Sequence, residues 1–444
     1  MFRFLFIILF SFITFVLSAQ NVLTLEQCIN IGYNGNLQIK QYELQIGLKK
    51  SELKQKNFSL LPSLNGILSQ AYSFGNSLDY TTYEYRKEKI SSNYFSLNSD
   101  LTLFNGFRQL YNVKSARYGY LSSQESFQDI KDQISLNIAA VYVEIVMNLE
   151  QVKSADKQLD LSRKLYEKSK ILVEVGEENL VKELQMKAQV ANDEVGKIDA
   201  ENQLELSYLK LKQLLNLDLT KTVVVVVPEI DIYKLPDYTK EKVESFIEES
   251  ILKLPKVKKA RYDFQSSRYN YLASLGQTYP RLNLQTSVDS RYSNIAKNLH
   301  GEQIPFNTQI DNNFGQSVSL GLSIPIFNNY QYSYAVQSAK IGMKTNEILL
   351  NETEINARNE IYQAFFLMNS ANKKFIAADN NLKAQQMLFE QNNKLYEQGL
   401  INFYDWQQAK NNLTKAESTF LSSKYDYLYK IKVFEYYKGV PLKL

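Results

Sequence analysis

The chain repeats itself, and that fact limits its possible folds more than any other. Aligning Leu103-Phe104-Asn105-Gly106 with Ile326-Phe327-Asn328-Asn329 sets an offset of 223 (327 − 104). The same offset lays Ser115-Ala116-Arg117 on Ser338-Ala339-Lys340, Gly119 on Gly342, Ala155 on Ala378 and Leu159 on Leu382. It also lays Gly176 on Gly399 and Asn179 on Asn402. Upstream the offset becomes 218 (280 − 62), matching Leu61-Pro62-Ser63-Leu64-Asn65 with Tyr279-Pro280-Arg281-Leu282-Asn283 and Ile39 with Val257. A fixed period marks a chain built from copies of one supersecondary unit. The change of offset falls between the two strands of a copy, where an insertion costs little.

Each copy has the same order of parts. A helical stretch (Leu25 to Ser59; Lys242 to Ala273) precedes two strands joined by a polar loop. A very long helical stretch, a turn at Gly176 or Gly399, and a returning helix follow. The boundaries expected are 1–19 for a signal peptide, 20–221 for the first repeat, 222–240 for a connector and 241–444 for the second repeat. Strands are expected at about 62–74, 94–105, 281–292 and 315–327.

Three of the four strands alternate cleanly, and the first, with Leu64, Leu68, Tyr72 and Phe74 on one face, is the least regular. Phe95, Leu97, Leu101 and Leu103 interleave with Ser96, Asn98, Asp100 and Thr102. Leu282, Leu284 and Val288 interleave with Asn283, Gln285, Asp289 and Arg291, and Val318, Leu320, Leu322 and Ile324 with Ser317, Ser319, Gly321 and Ser323. Each is about ten residues, the length a tilted strand needs to cross a bilayer. A soluble sandwich alternates in the same way, but needs many short strands with frequent turns. Here the strands are separated by helices far too long to wrap so small a sheet. If the apolar positions face lipid, Asp100, Asp289 and Arg291 face the barrel lumen.

The helices carry a length argument. From Gly106 to Gly176 an unbroken helix would reach roughly 105 Å, and the opening and returning helices roughly 50–60 Å each. Two short helices end to end therefore match one long one, with Thr222 to Val227 and Pro228 to Asp237 at the junction. The stripes Tyr142, Ile145, Leu149, Val152, Ala155, Leu159, Tyr166 and Phe365, Met368, Phe375, Ala378, Leu382, Phe389 recur at a spacing near 3.5, the signature of coiled-coil packing.

Composition removes other classes. Arg3, the apolar run Phe4 to Leu17 and the small pair Ser18-Ala19 read as a secretory signal peptide cut after Ala19. Beyond it no run approaches the roughly 20 apolar residues of a spanning helix, so membrane entry requires β-structure. One cysteine, Cys28, rules out an internal disulfide framework, and one histidine, His300, excludes His-based zinc sites and triads. Lys and Glu interleave along the helices at a net charge of +4, which is no nucleic-acid footprint. No metal, cofactor or catalytic constellation is expected.

With these parts in order, the chain resembles the TolC-type outer-membrane efflux family. The resemblance rests on the duplicated order, the Pro62 and Pro280 strand entries, the Phe104-Asn105-Gly106 strand exit and the two glycine turns. Tyr396-Glu397-Gln398-Gly399-Leu400-Ile401-Asn402-Phe403-Tyr404-Asp405 fits that family's hairpin tip; in the first copy Val173 replaces the Tyr, and Lys182 stands opposite Asp405. The resemblance implies a mainly α chain with membrane β, a TolC-like fold. Four strands per chain would join in a homotrimeric twelve-stranded barrel on a long periplasmic helical tunnel. It implies an exit duct in the outer membrane, for tripartite efflux or type I secretion, that docks tip-first onto a periplasmic adaptor and is served by an inner-membrane pump. Open strand edges in lipid independently require neighbouring copies.

By the same resemblance Asp405 is a constricting acid of the periplasmic gate, and Lys182 is its expected partner across neighbouring hairpins. Gly176, Asn179, Gly399 and Asn402 shape the tips and contribute to adaptor docking. Glu177 and Glu178 read as solvated tip charges, and Trp406 as packing between hairpins. The rival reading is a periplasmic helical-hairpin adaptor or scaffold, which needs compact β-domains flanking a single hairpin. An autonomous porin would need many strands and little helix.

Overall fold

A computed structural model of the protein describes residues 21–79, 83–87, 89–228, 231–236, 238, 240–440 and 442. The expected signal peptide lies outside them. The elements run β1 (Asn21–Leu23), α1 (Leu25–Gly35), α2 (Leu37–Phe58), β2 (Ser63–Ser73), β3 (Asn76–Asp79), β4 (Glu84–Lys87), β5 (Ile90–Phe104), α3 (Arg108–Glu174) and α4 (Leu180–Leu214). The second copy brings β6 (Val223–Val225), α5 (Lys240–Lys253), α6 (Pro255–Gly276), β7 (Arg281–Ser293), α7 (Phe306–Asn312), β8 (Gly315–Ser323), α8 (Gln331–Glu397) and α9 (Phe403–Tyr437).

The repeat fixes the ends of the elements. Helices α3 and α8 are both 67 residues long and start 223 apart (331 − 108). Helices α4 and α9 are both 35 residues, again 223 apart (403 − 180). Helices α2 and α6 are both 22 residues, 218 apart (255 − 37). Each opening helical stretch, expected as one helix, is split in two at equivalent places. Asn36 stands extended at φ −70°, ψ 125°, and Leu254 at φ −62°, ψ 131°. Pro255 enforces the second break, because proline disfavours helical backbone in the residue before it. In the first copy Asn36 does the work, accepting from Gln38 N at 2.8 Å through its own side chain.

The residues form two compact units: Met1–Ile39, Ile130–Ser250 and Glu360–Leu444 in one, Lys40–Asp129 and Ile251–Asn359 in the other. The first is mainly helical and holds an apolar core. Ile138, Ile145, Leu211, Ile361, Ile431 and Phe434 are fully enclosed, and Tyr142 nearly so. Within this unit β1 pairs parallel with β6, Leu23 opposite Val225. Tyr142 donates to Val226 O at 2.6 Å and also lies 3.2 Å from Leu23 O. That bridges the two strands and ties Val223–Val225 into a sheet with β1.

The second unit holds a four-stranded sheet in the order β2-β5-β7-β8, all neighbours antiparallel. Strand β8 stops at Ser323, short of the expected 327, because Pro325 has no N–H for a ladder. Strand β5 starts earlier than expected, at Ile90, and bulges between Thr102 and Phe104. Both loops at the end of the sheet away from the helices carry further elements. One carries the β3–β4 hairpin; the other carries α7, whose Phe306 meets Phe95 and Tyr292 at 6.3 and 5.0 Å between ring centroids. Gln309 of α7 holds this fold-back, accepting from Ser293 N and donating to Ser293 O, both at 2.9 Å.

Candidate functional site

Two regions concentrate the candidate residues: the ends of the helical hairpins and the faces of the sheet. Both hairpins turn by the same backbone device. Helix α3 is closed by Gly176 at φ +80°, with Glu177 N reaching back to Leu172 O at 2.8 Å; helix α8 is closed by Gly399 at φ +73°, with Leu400 N on Leu395 O at 2.9 Å. Glycine takes this left-handed backbone without the Cβ clash other residues meet. Asn179 then caps α4 by accepting from Lys182 N at 3.0 Å, and Asn402 caps α9 by accepting from Asp405 N at 2.9 Å.

Side chains break the symmetry. The Lys182 ammonium is bonded to Glu178 and lies 5.0 Å over the Tyr396 ring, so within the chain it is not paired with Asp405. Asp405 is exposed at the first turn of α9, where the helix dipole favours a carboxylate. Glu178 is not a solvated tip charge. Its side chain is only 15% exposed and accepts from Ser169 at 3.0 Å as well as from Lys182. Tyr396 stacks on Trp406 at 5.4 Å between centroids, and its buried hydroxyl has no hydrogen-bond partner among the described residues. Burial, reinforced by Glu178, pushes that hydroxyl up to about 12. Trp406 is fully enclosed, donates to Asn393 Oδ1 at 3.0 Å and centres a cluster with Leu165, Met186 and Phe389.

Beside this cluster sits a network that the sequence reading missed. Lys410 of α9 is 3% exposed and is bonded to Asp193 of α4 and Ser162 of α3. Gln189 donates to the other Asp193 oxygen at 3.0 Å and accepts from Gln407 at 3.1 Å. Burial lowers the Lys410 pKa, partly opposed by Asp193. Its position in the stripe Trp406, Ala409, Leu413, Ala416 was the available signal: a lysine beside apolar positions on the packed face of a helix.

The sheet register assigns its two faces. Asp100 stands opposite Gln285, Asn98 opposite Ser287, Ser96 opposite Asp289 and Tyr94 opposite Arg291, so Asp100, Asp289 and Arg291 share one face. On β8, Ser319 and Ser317 continue that polar face opposite Gln285 and Ser287. The other face is apolar and, away from the α7 fold-back over Phe95 and Tyr292, exposed. Leu68 is 80% exposed, Val318 75%, and Leu320 and Leu322 63% each. Burying each such side chain is worth about 1.5–3 kcal/mol, so a band of them in water is strongly unfavourable. Strands β2 and β8 are both open edges. No helix among the described residues is long and apolar enough to cross a membrane.

Residues 33–217 and 246–430, most of both repeats, match the family described as outer membrane efflux protein. The chain is 20% identical over 374 residues to an uncharacterized protein of Haemophilus influenzae, covering 83% of this chain and 76% of that one. It is 21% identical over 409 residues to the cation efflux system protein CusC of Escherichia coli K12, covering 88% and 80%. Its fold is similar to a crystal structure of CusC, with a TM-score of 0.77 at 16% identity over 93% of this chain and 91% of that one. It is equally similar to the outer membrane protein VceC of Vibrio cholerae, with a TM-score of 0.77 at 14% identity over 94% and 97%.

Proposed function

This chain belongs to the outer membrane efflux protein family, and on that premise we infer that it forms the outer-membrane exit duct of an efflux system. The observation that carries the reading is the two-faced sheet with bilayer-length strands, its apolar face mostly exposed, on a chain of duplicated helical hairpins. An apolar outer face beside a polar inner one is what a membrane barrel requires. The duct makes or breaks no bonds. It supplies a water-filled path, while the driving energy comes from an inner-membrane pump reached through a periplasmic adaptor.

The barrel is completed by further copies of the chain. Unpaired edge groups in hydrocarbon cost several kcal/mol each, so β8 of one copy pairs with β2 of the next. Apolar seams support the same junction: Tyr334, Ile341, Ile348 and Ile355 recur every seven residues on α8 and are exposed, as are Leu44 and Leu48 on α2. Three copies, hence twelve strands, follows from the family resemblance. The loop-bearing end of the sheet then faces outward and the helices enter the periplasm. Asp100, Asp289 and Arg291 line the lumen.

The glycine turns and their caps at Asn179 and Asn402 form the tips offered to the adaptor. The gate lies beside them. Lys182 is held by Glu178 against Tyr396 of the other hairpin, and the exposed Asp405 is the acid left for contact with a neighbouring copy. Detergent extraction followed by mass measurement tests the assembly, and planar-bilayer recording tests the pore. A detergent-dependent trimer that conducts is expected. A monomer in plain buffer would overturn the reading.

A further inference from the structure

We propose that the apolar face of the sheet carries a seat for one phosphorylated glycolipid of the outer leaflet, with an acyl tail in the groove over Gly66 and a phosphate at Lys89. The proposal rests on the membrane reading above.

The groove has a volume of about 370 Å³ and is walled by Leu68, Phe95, Ser290 and Phe314. Its floor is the cross-strand row Gly66, Leu97 and Val288. Nothing among the described residues requires glycine there. Gly66 is not among the residues of positive φ, and a Cβ added to it would meet only Leu97 Cδ1, at 3.9 Å. A larger residue would fit the fold but would fill the groove. Helix α7, fixed by Phe306 and Gln309, leads directly into Phe314, which gives the groove one wall.

Lys89 supplies the charge. It lies at the loop-bearing end of the sheet, 5.0 Å over the Tyr72 ring and 5.6 Å over the Phe74 ring. Among the described residues no carboxylate pairs with it, and an ammonium resting on two aromatic faces still has donors to give. Tyr72 is on the same face of β2 as Gly66, six residues along, which is about 20 Å at the rise of a strand. That span suits an extended acyl tail whose headgroup sits at the aromatic rim. Because the loops face outward in this reading, the lipid is one of the outer leaflet, where phosphorylated glycolipid is the anionic species.

The test uses the full chain purified in detergent, mixed with micelles of diphosphorylated lipid A, and weighed by native mass spectrometry. One lipid A per chain is expected to remain bound. Gly66→Leu and Lys89→Ser should each lower occupancy about tenfold, while Lys297→Ser, a loop cation away from the groove, should not. Equal occupancy in all variants would overturn the proposal, and so would equal retention of phosphatidylglycerol. A change in oligomer mass in Gly66→Leu with lipid occupancy unchanged would assign the groove to a second copy instead. Planar-bilayer conductance of the wild type separates the two readings: a conducting protein that holds no lipid A defeats only the lipid seat.

Discussion

Lys410 and Asp193, on helices of different hairpins, form an ion pair whose side chains are only 4% and 11% exposed. Removing one partner of a buried pair leaves an uncompensated charge, at a cost of about 3–5 kcal/mol. Lys410→Met should therefore lower thermal stability sharply in detergent. The double variant Lys410→Met with Asp193→Leu should recover much of the loss, because matched apolar residues can replace a buried pair at little cost. Additive losses in the double variant would mean that the two residues act separately.

At the tip, Asp405→Ala should raise the conductance of the resting pore in planar bilayers several-fold. Glu178→Gln should act in the same direction, by weakening the hold on Lys182 against Tyr396. An unchanged resting conductance in both would remove the gate from this site.

The two faces of β8 can be separated by neighbouring substitutions. Val318→Arg places a charge on the apolar face, where a lysine or arginine at mid-bilayer costs about 2–4 kcal/mol, and should reduce recovery in outer-membrane fractions. Ser319→Arg, one residue on, should assemble normally and shift the pore toward anion selectivity, read as a change in reversal potential. The reverse pattern would exchange lumen and lipid.

Alkaline pH offers a fourth check. Tyr396, Tyr142 and Tyr425 are each pushed up to about 12 by burial, above the ordinary value of 10.0. A raised tyrosine is neutral in the folded state where the unfolded chain has begun to ionise. Its contribution is complete below about pH 10 and is lost as pH rises toward 12. A two-unit shift corresponds to about 2.7 kcal/mol. Thermal stability should fall across that window, and Tyr396→Phe should blunt the fall.

Much of this was legible in the sequence because it is periodic. Alternation separated Asp289 from Val288, and the matched glycines put both turns at equivalent places. The breaks at Asn36 and Leu254 were harder to see, since only the second carries a proline. Glu178 and Lys410 were hidden for another reason. On helices rich in Lys and Glu, a buried charge looks like its solvated neighbours until another helix is packed against it. Helix α7 escaped notice because a seven-residue helix in a polar loop has almost no period to read, and its Phe306 and Gln309 act through tertiary contacts.

The matched lengths of the repeated helices have a consequence for changing the protein. A length of 67 residues occurs twice, and so does 35, so the copies behave as rulers cut to one standard. Removing a heptad from α3 alone would leave the first hairpin tip about 10 Å out of step with the second. Removing matching heptads from α3, α4, α8 and α9 would shorten both together and keep the tips level. Reach, in this architecture, can be altered only in sets of four.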